Sequence, residues 1–154
     1  MIDRRLITAL TVSASAFVAL TMSEGYSDTA IIPVPGDVPT IGFGTTEGVK
    51  PGDRITPPRA VARALTDVQK FEGALKACVK VPLAQHEYDA YVRLAYNIGP
   101  TAFCGSTLVK TLNASDYAGA CQQILVWDKF KGKPLRGLTT RRQAEYKTCI
   151  GGSP

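Results

Sequence analysis

Glu24-Gly25 and, after ten intervening residues, Gly36-Asp37-Val38-Pro39-Thr40-Ile41-Gly42-Phe43-Gly44-Thr45 form the stretch on which the fold of this chain turns. Glu24 closes an uncharged, greasy segment that runs from Leu6 to Ser23. The Gly-, Pro- and Thr-rich residues after it read as short strands and turns over 29–55, punctuated by Pro33, Pro35, Pro39 and Pro51-Gly52. A carboxyl group at the junction of an apolar helix and a hairpin has neighbours that favour its protonated form. Glycoside hydrolysis asks this of its general acid.

Upstream, Arg4 and Arg5 precede 17 uncharged residues, Leu6 to Met22. As one helix these would span roughly 26 Å, just short of a bilayer's hydrocarbon core. Thr8, Thr11, Ser13, Ser15 and Thr21 make the segment polar for a stable span. Three readings stay open: a signal anchor that is later released, a signal cleaved near Ala14-Ser15-Ala16, or a plain first helix. The first is favoured, with Arg4 and Arg5 held inside and the rest of the chain outside the inner membrane. The division is then 1–23 for the anchor and 24–154 for the body.

Downstream, helical periodicity takes over. Thr56-Pro57-Pro58 opens a helix in which Val61, Leu65, Val68, Phe71 and Leu75 share a face up to about Cys78. A second helix covers Gln85 to Ile98, with Tyr88, Tyr91, Leu94, Ala95 and Ile98 facing inward, and Gly99-Pro100 stops it. Ser106 caps a short helix closed by Asn113, and Ser115 caps another to about Trp127. Lys129 to Gly137 is a polar loop. Thr140-x-x-Gln143 is a capping box for the last helix, and Gly-Gly-Ser-Pro is a frayed tail. The fold class is α+β, a small N-terminal β-hairpin lobe followed by a larger helical lobe.

The 154 residues, 45% apolar and 20% charged, suit one globular body with a real core. A net charge of +5 suits a polyanionic partner such as the bacterial cell wall. Nucleic acid is not expected, because neither a helix-turn-helix nor an RNA-binding motif is present. Four cysteines without a C-x-x-C pair, and a single histidine, His86, argue against a metal site, and no cofactor is implied. An even count behind an export-like N-terminus fits two disulfides. Cys78–Cys104 with Cys121–Cys149 is favoured among three connectivities, since each pair joins neighbouring helical elements.

Glu24-Gly25 with Pro39-Thr40-Ile41-Gly42-Phe43-Gly44 resembles the catalytic signature of the phage-type lysozymes, glycoside hydrolase family 24. Ala95-Tyr96-Asn97-Ile98-Gly99, Phe103, Ser106-Thr107-Leu108 and Gly137-Leu138-x-x-Arg141-Arg142-x-Ala144-Glu145 extend the resemblance in order, with Trp127 before the last block. The N-terminal segment resembles the signal-anchor-release segments of some phage endolysins. The resemblance implies a lysozyme-like fold, no cofactor, a chain that acts as a monomer, and cleavage of the β-1,4 bond between N-acetylmuramic acid and N-acetylglucosamine. It implies an endolysin held at the host inner membrane and then freed into the periplasm. It assigns catalysis to Glu24 and Thr40, and substrate binding to Asn97, Arg141 and Arg142, with Arg141 or Arg142 reaching Glu24 to orient it. The family's aspartate, nine residues after the Glu and six before the Thr, has no counterpart: those places hold Pro33 and Val34, and the Glu-to-Thr interval is one residue longer. Asp37 is the favoured substitute and Asp28 the other. Without a second working carboxylate the chain would be a lytic transglycosylase, or a peptidoglycan-binding protein without catalysis.

Overall fold

The helix that ends in Glu24 begins at Ala14, not at Leu6, in the computed structural model, which describes residues 1–152. Ser153 and Pro154 of the expected tail lie outside the described residues. The chain divides into two units, one built from residues 1–16 and 71 onward, the other from residues 17–70.

The smaller unit carries most of α1 (Ala14–Glu24), β1 (Ser27–Ile31), β2 (Thr40–Gly42) and the first half of α2 (Pro57–Cys78). β1 and β2 pair antiparallel, Ser27 opposite Gly42 and Ile31 opposite Thr40, with an irregularity between. Thr29 bridges to Arg54, so residues 53–55 add a third short arm. The face α2 buries here is Ala60, Ala64 and Val68, whereas Val61 and Leu65 are more than two-fifths exposed. That corrects the expected face, and the reason is close approach. A Cβ on Gly42 would stand 3.0 Å from the Ala60 Cβ, and Gly42 sits at φ +64°. Only a glycine facing an alanine lets strand and helix touch there. Thr45, almost fully buried, donates to the Asp67 carboxylate at 2.6 Å and fixes the Gly42-Phe43-Gly44 turn to α2.

The larger unit is built around α3 (Gln85–Ile98), in which every residue from Glu87 to Ala95 is buried. A helix enclosed on all sides explains why its polar residues need partners from other segments. α4 (Pro100–Cys104) and α7 (Arg136–Cys149) pack on it, and α5 (Thr107–Asn113) packs on α6 (Tyr117–Gln123). Cys78–Cys104 and Cys121–Cys149 are bonded with Cα separations of 5.6 and 5.7 Å, the favoured connectivity. The bridges span 26 and 28 residues of sequence, and closing loops of that length is worth about 3.5 kcal/mol each.

Residues 4–13 belong to this unit and are stitched to it through carboxylates. Glu87, 2% exposed, takes a fork of hydrogen bonds from the Arg4 guanidinium, which also lies over the Tyr117 ring. Glu72 accepts from the Val12 backbone at 2.7 Å and from the Tyr88 hydroxyl at 2.8 Å. Asp89 accepts from the Ser13 backbone and hydroxyl. Arg5 and Leu83 exchange backbone hydrogen bonds, and Ile7 and Leu10 are buried. These bonds interrupt the greasy segment: only Ile7–Ala9 coils before Ala14, as a single 3₁₀ turn. Among the described residues no helix is long and apolar enough to cross a membrane.

Three further expectations are corrected. Asp116, not Ser115, caps α6, accepting from the Gly119 backbone, and Ser115 takes a left-handed conformation at φ 66°. The last helix starts one turn earlier than the Thr140 box, at Arg136, and a hairpin of β3 (Lys129–Phe130) and β4 (Lys133–Pro134) fills part of the polar loop. Pro100 opens α4 where the sequence reads only a stop, because proline at a first helical position costs no hydrogen bond.

Candidate active site

Glu24 is the final residue of α1 because Gly25 adopts φ +71°, a left-handed turn that glycine takes without penalty. The chain then enters β1. Thr40 is the first residue of β2, opposite Ile31 at the other end of the same ladder. Both side chains open onto one cleft of about 400 Å³, together with Tyr26, Pro33 and Ile41. Glu24 and Thr40 are each half-buried. The Thr40 hydroxyl donates to the Val38 carbonyl at 3.3 Å and keeps its lone pairs for another donor. The arrangement is a carboxyl group and a hydroxyl facing a largely apolar groove, which suits proton transfer to a sugar oxygen.

Neither aspartate is among the residues that line this cleft. Asp37 is exposed and acts on its own turn: its backbone N–H donates to Val34, and its carboxylate accepts from the Val38 N–H at 2.8 Å. Asp28 accepts from the Thr29 hydroxyl and lies 3.7 Å from the Arg54 guanidinium. Of Pro33 and Val34, the two positions at the aspartate spacing, Pro33 lines the cleft.

Arg142 and Asn97 come together in the larger unit. Arg142 is fully buried. Its guanidinium donates to the Asn97 side-chain oxygen at 2.9 Å and to Glu145 at 2.8 Å, with Nε 2.7 Å from the second Glu145 oxygen. Burial pushes the Glu145 carboxyl up to about 7, against the opposing pull of Arg142 and Arg93. Arg141, one residue earlier on α7, is half-buried. Two residues had escaped the sequence reading. Tyr26 lines the cleft, and its place directly after Glu24-Gly25 was the available signal. Glu145 belongs to a quoted motif, but only the fold shows it as the buried counter-charge of Arg142.

The family model for phage lysozyme matches residues 21–145, a span that contains the cleft residues and the Arg142–Glu145 pair. The chain belongs to the phage lysozyme family. It is a glycoside hydrolase of the lysozyme type, with the α+β fold of that family. It is 46% identical over 110 residues to an endolysin of Acyrthosiphon pisum secondary endosymbiont phage 1, covering 69% of this chain and 75% of that one. It is 38% identical over 141 residues to a SAR-endolysin of Pseudomonas phage phiKMV, covering 89% of this chain and 87% of that one. Among solved structures, the muramidase domain of SpmX from Asticaccaulis excentricus superposes with a TM-score of 0.84 at 28% identity, covering 91% of this lysozyme and 97% of that chain.

Proposed function

We propose that this phage lysozyme is an endolysin muramidase in which Glu24 protonates the glycosidic oxygen between N-acetylmuramic acid and N-acetylglucosamine. The observation that carries the reading is that Glu24 and Thr40 face one cleft. Glu24 gives its proton to the departing sugar oxygen as the bond to the anomeric carbon breaks. The Thr40 hydroxyl positions a water whose oxygen bonds to the anomeric carbon, and Asp37, outside the cleft lining but three residues earlier in the same segment, is the carboxylate that takes the proton this water loses. Arg142 and Asn97 position α3 against α7, and Arg141 contributes charge that favours the wall polymer.

A second reading has an observation of its own. Pro33 and Val34 stand at the aspartate spacing, and the cleft is lined by neither Asp37 nor Asp28. Single-acid chemistry, with the muramic 6-hydroxyl attacking the anomeric carbon, gives an anhydro product lighter than the hydrolysis product by one water. Mass spectrometry of muropeptides released from purified peptidoglycan separates the two. Hydrolysis is expected in wild type, with a loss of ~100-fold or more in Asp37→Asn and little loss in Asp28→Asn. Anhydro ends in wild type, or full activity of Asp37→Asn, would remove Asp37 from the mechanism.

The N-terminal segment 1–23 is proposed to serve as a signal anchor before the enzyme is freed into the periplasm as a monomer. Arg4 and Arg5 ahead of an uncharged run support this reading, as do relatives named SAR-endolysins. Intact-mass measurement of the protein from a lysing host is expected to retain residues 1–23 and to show two disulfides, the mark of an oxidising compartment. A mass corresponding to a chain cleaved near Ala16, or four free thiols, would contradict it.

A further inference from the structure

Tyr26 is a wall common to two cavities of the smaller unit. On one side is the cleft of Glu24 and Thr40. On the other is a cavity of about 470 Å³ whose polar walls come from Asp28, Arg54 and Arg59. The phenol stands between them in a fixed attitude. Its hydroxyl donates to the Ile55 carbonyl at 3.2 Å, and its ring lies 5.3 Å from that of Phe43, tilted by 46°. The residue is still 43% exposed, so part of it remains accessible to a ligand.

The second cavity carries an excess of positive charge. Asp28 stands 3.7 Å from Arg54, with both side chains more than three-fifths exposed, a loose pair that water screens. Arg59 makes no ion pair or hydrogen bond among the described residues. Two guanidiniums against one carboxylate leave a place for a second anion, and a planar fork suits a carboxylate.

We propose that this cavity is a subsite for the stem peptide of the wall strand being cut, its free carboxylates received by Arg54 and Arg59. The inference rests on the muramidase reading and adds a recognition element to it. A peptidoglycan strand alternates a bare sugar with one that bears an acidic peptide. A sugar laid across the Tyr26 ring, next to the bond held at Glu24, directs the peptide of its neighbour over the shared wall and towards the arginines. The enzyme therefore distinguishes peptide-bearing glycan from bare glycan by contacts away from the reacting atoms.

The test compares initial rates on soluble purified peptidoglycan with rates on the same strands after an amidase has removed the peptides. In Arg54→Gln/Arg59→Gln, kcat/KM is expected to fall ~10-fold more on the peptide-bearing strands than on the bare ones, with a weaker dependence on salt. Where bare strands are cut too slowly to measure, free stem tetrapeptide serves as inhibitor: it should slow the wild type and not the double variant. Equal losses on both substrates, or a tetrapeptide that inhibits both proteins alike, would overturn the subsite. A wild type that cuts neither substrate would overturn the muramidase reading instead.

Discussion

Glu24→Gln is expected to lower the rate of wall hydrolysis by at least ~1000-fold while leaving the protein folded. The amide keeps the size of the carboxyl group and its place at the end of α1. It cannot deliver a proton to the leaving oxygen, and general acid catalysis of that kind is worth about 10² to 10⁴ in rate. Binding should persist, so the variant would still sediment with walls. Rate measurement, thermal melting and wall pull-down together separate lost chemistry from lost fold. A folded Glu24→Gln protein that lyses walls at the wild-type rate sinks the catalytic assignment.

The second large effect lies in the larger unit. Arg142→Met is expected to destabilise the protein by about 3–5 kcal/mol at pH 8, because it strands the buried Glu145 carboxylate. The cost should depend on pH. Glu145 holds its proton up to about 7 in the folded chain, against an ordinary 4.5. The stability attached to that proton is thus fully present below about 4.5 and is lost as the pH climbs through about 7. At pH 5 the carboxyl is already neutral in the folded state, so removing its counter-charge matters less than at pH 8. Arg142→Met/Glu145→Met should recover much of the loss at pH 8, since an apolar pair avoids the desolvation of both charges. Urea denaturation of both variants at the two pH values checks this. Equal destabilisation at pH 5 and pH 8, with no recovery in the double variant, would show that packing and not charge decides the cost.

How far the sequence reveals this molecule differs by segment. Helices α2, α3 and α5 are legible because periodicity, caps and prolines agree over each of them. The face α2 buries is not, because Ala60 and Ala64 carry little hydrophobicity and are chosen by the closeness of Gly42, a tertiary fact. The Leu6–Met22 run misleads for the complementary reason. Its composition reads as one helix, and it is broken at residues 10–13 by hydrogen bonds to Glu72 and Asp89, some sixty and seventy-six residues away in sequence. That Glu24 and Thr40 stand close enough to line one cleft was legible from the motif. The surroundings of the two aspartates were not: Asp37 and Asp28 are close in sequence to the cleft residues, but the Asp37 carboxylate accepts from the next backbone N–H and Asp28 lies beside Arg54.

The carboxylates that hold residues 4–13 bear on how the gene can be shortened. A designer who trims this lysozyme to begin at Glu24, treating everything before it as an address label, also deletes the Arg4 fork on Glu87 and the donors to Glu72 and Asp89. The trimmed protein would carry three acidic groups facing into the helical unit with those donors gone. Residues 4–13 are therefore parts of the finished interior, and deleting them removes buried partners that the helical unit relies on.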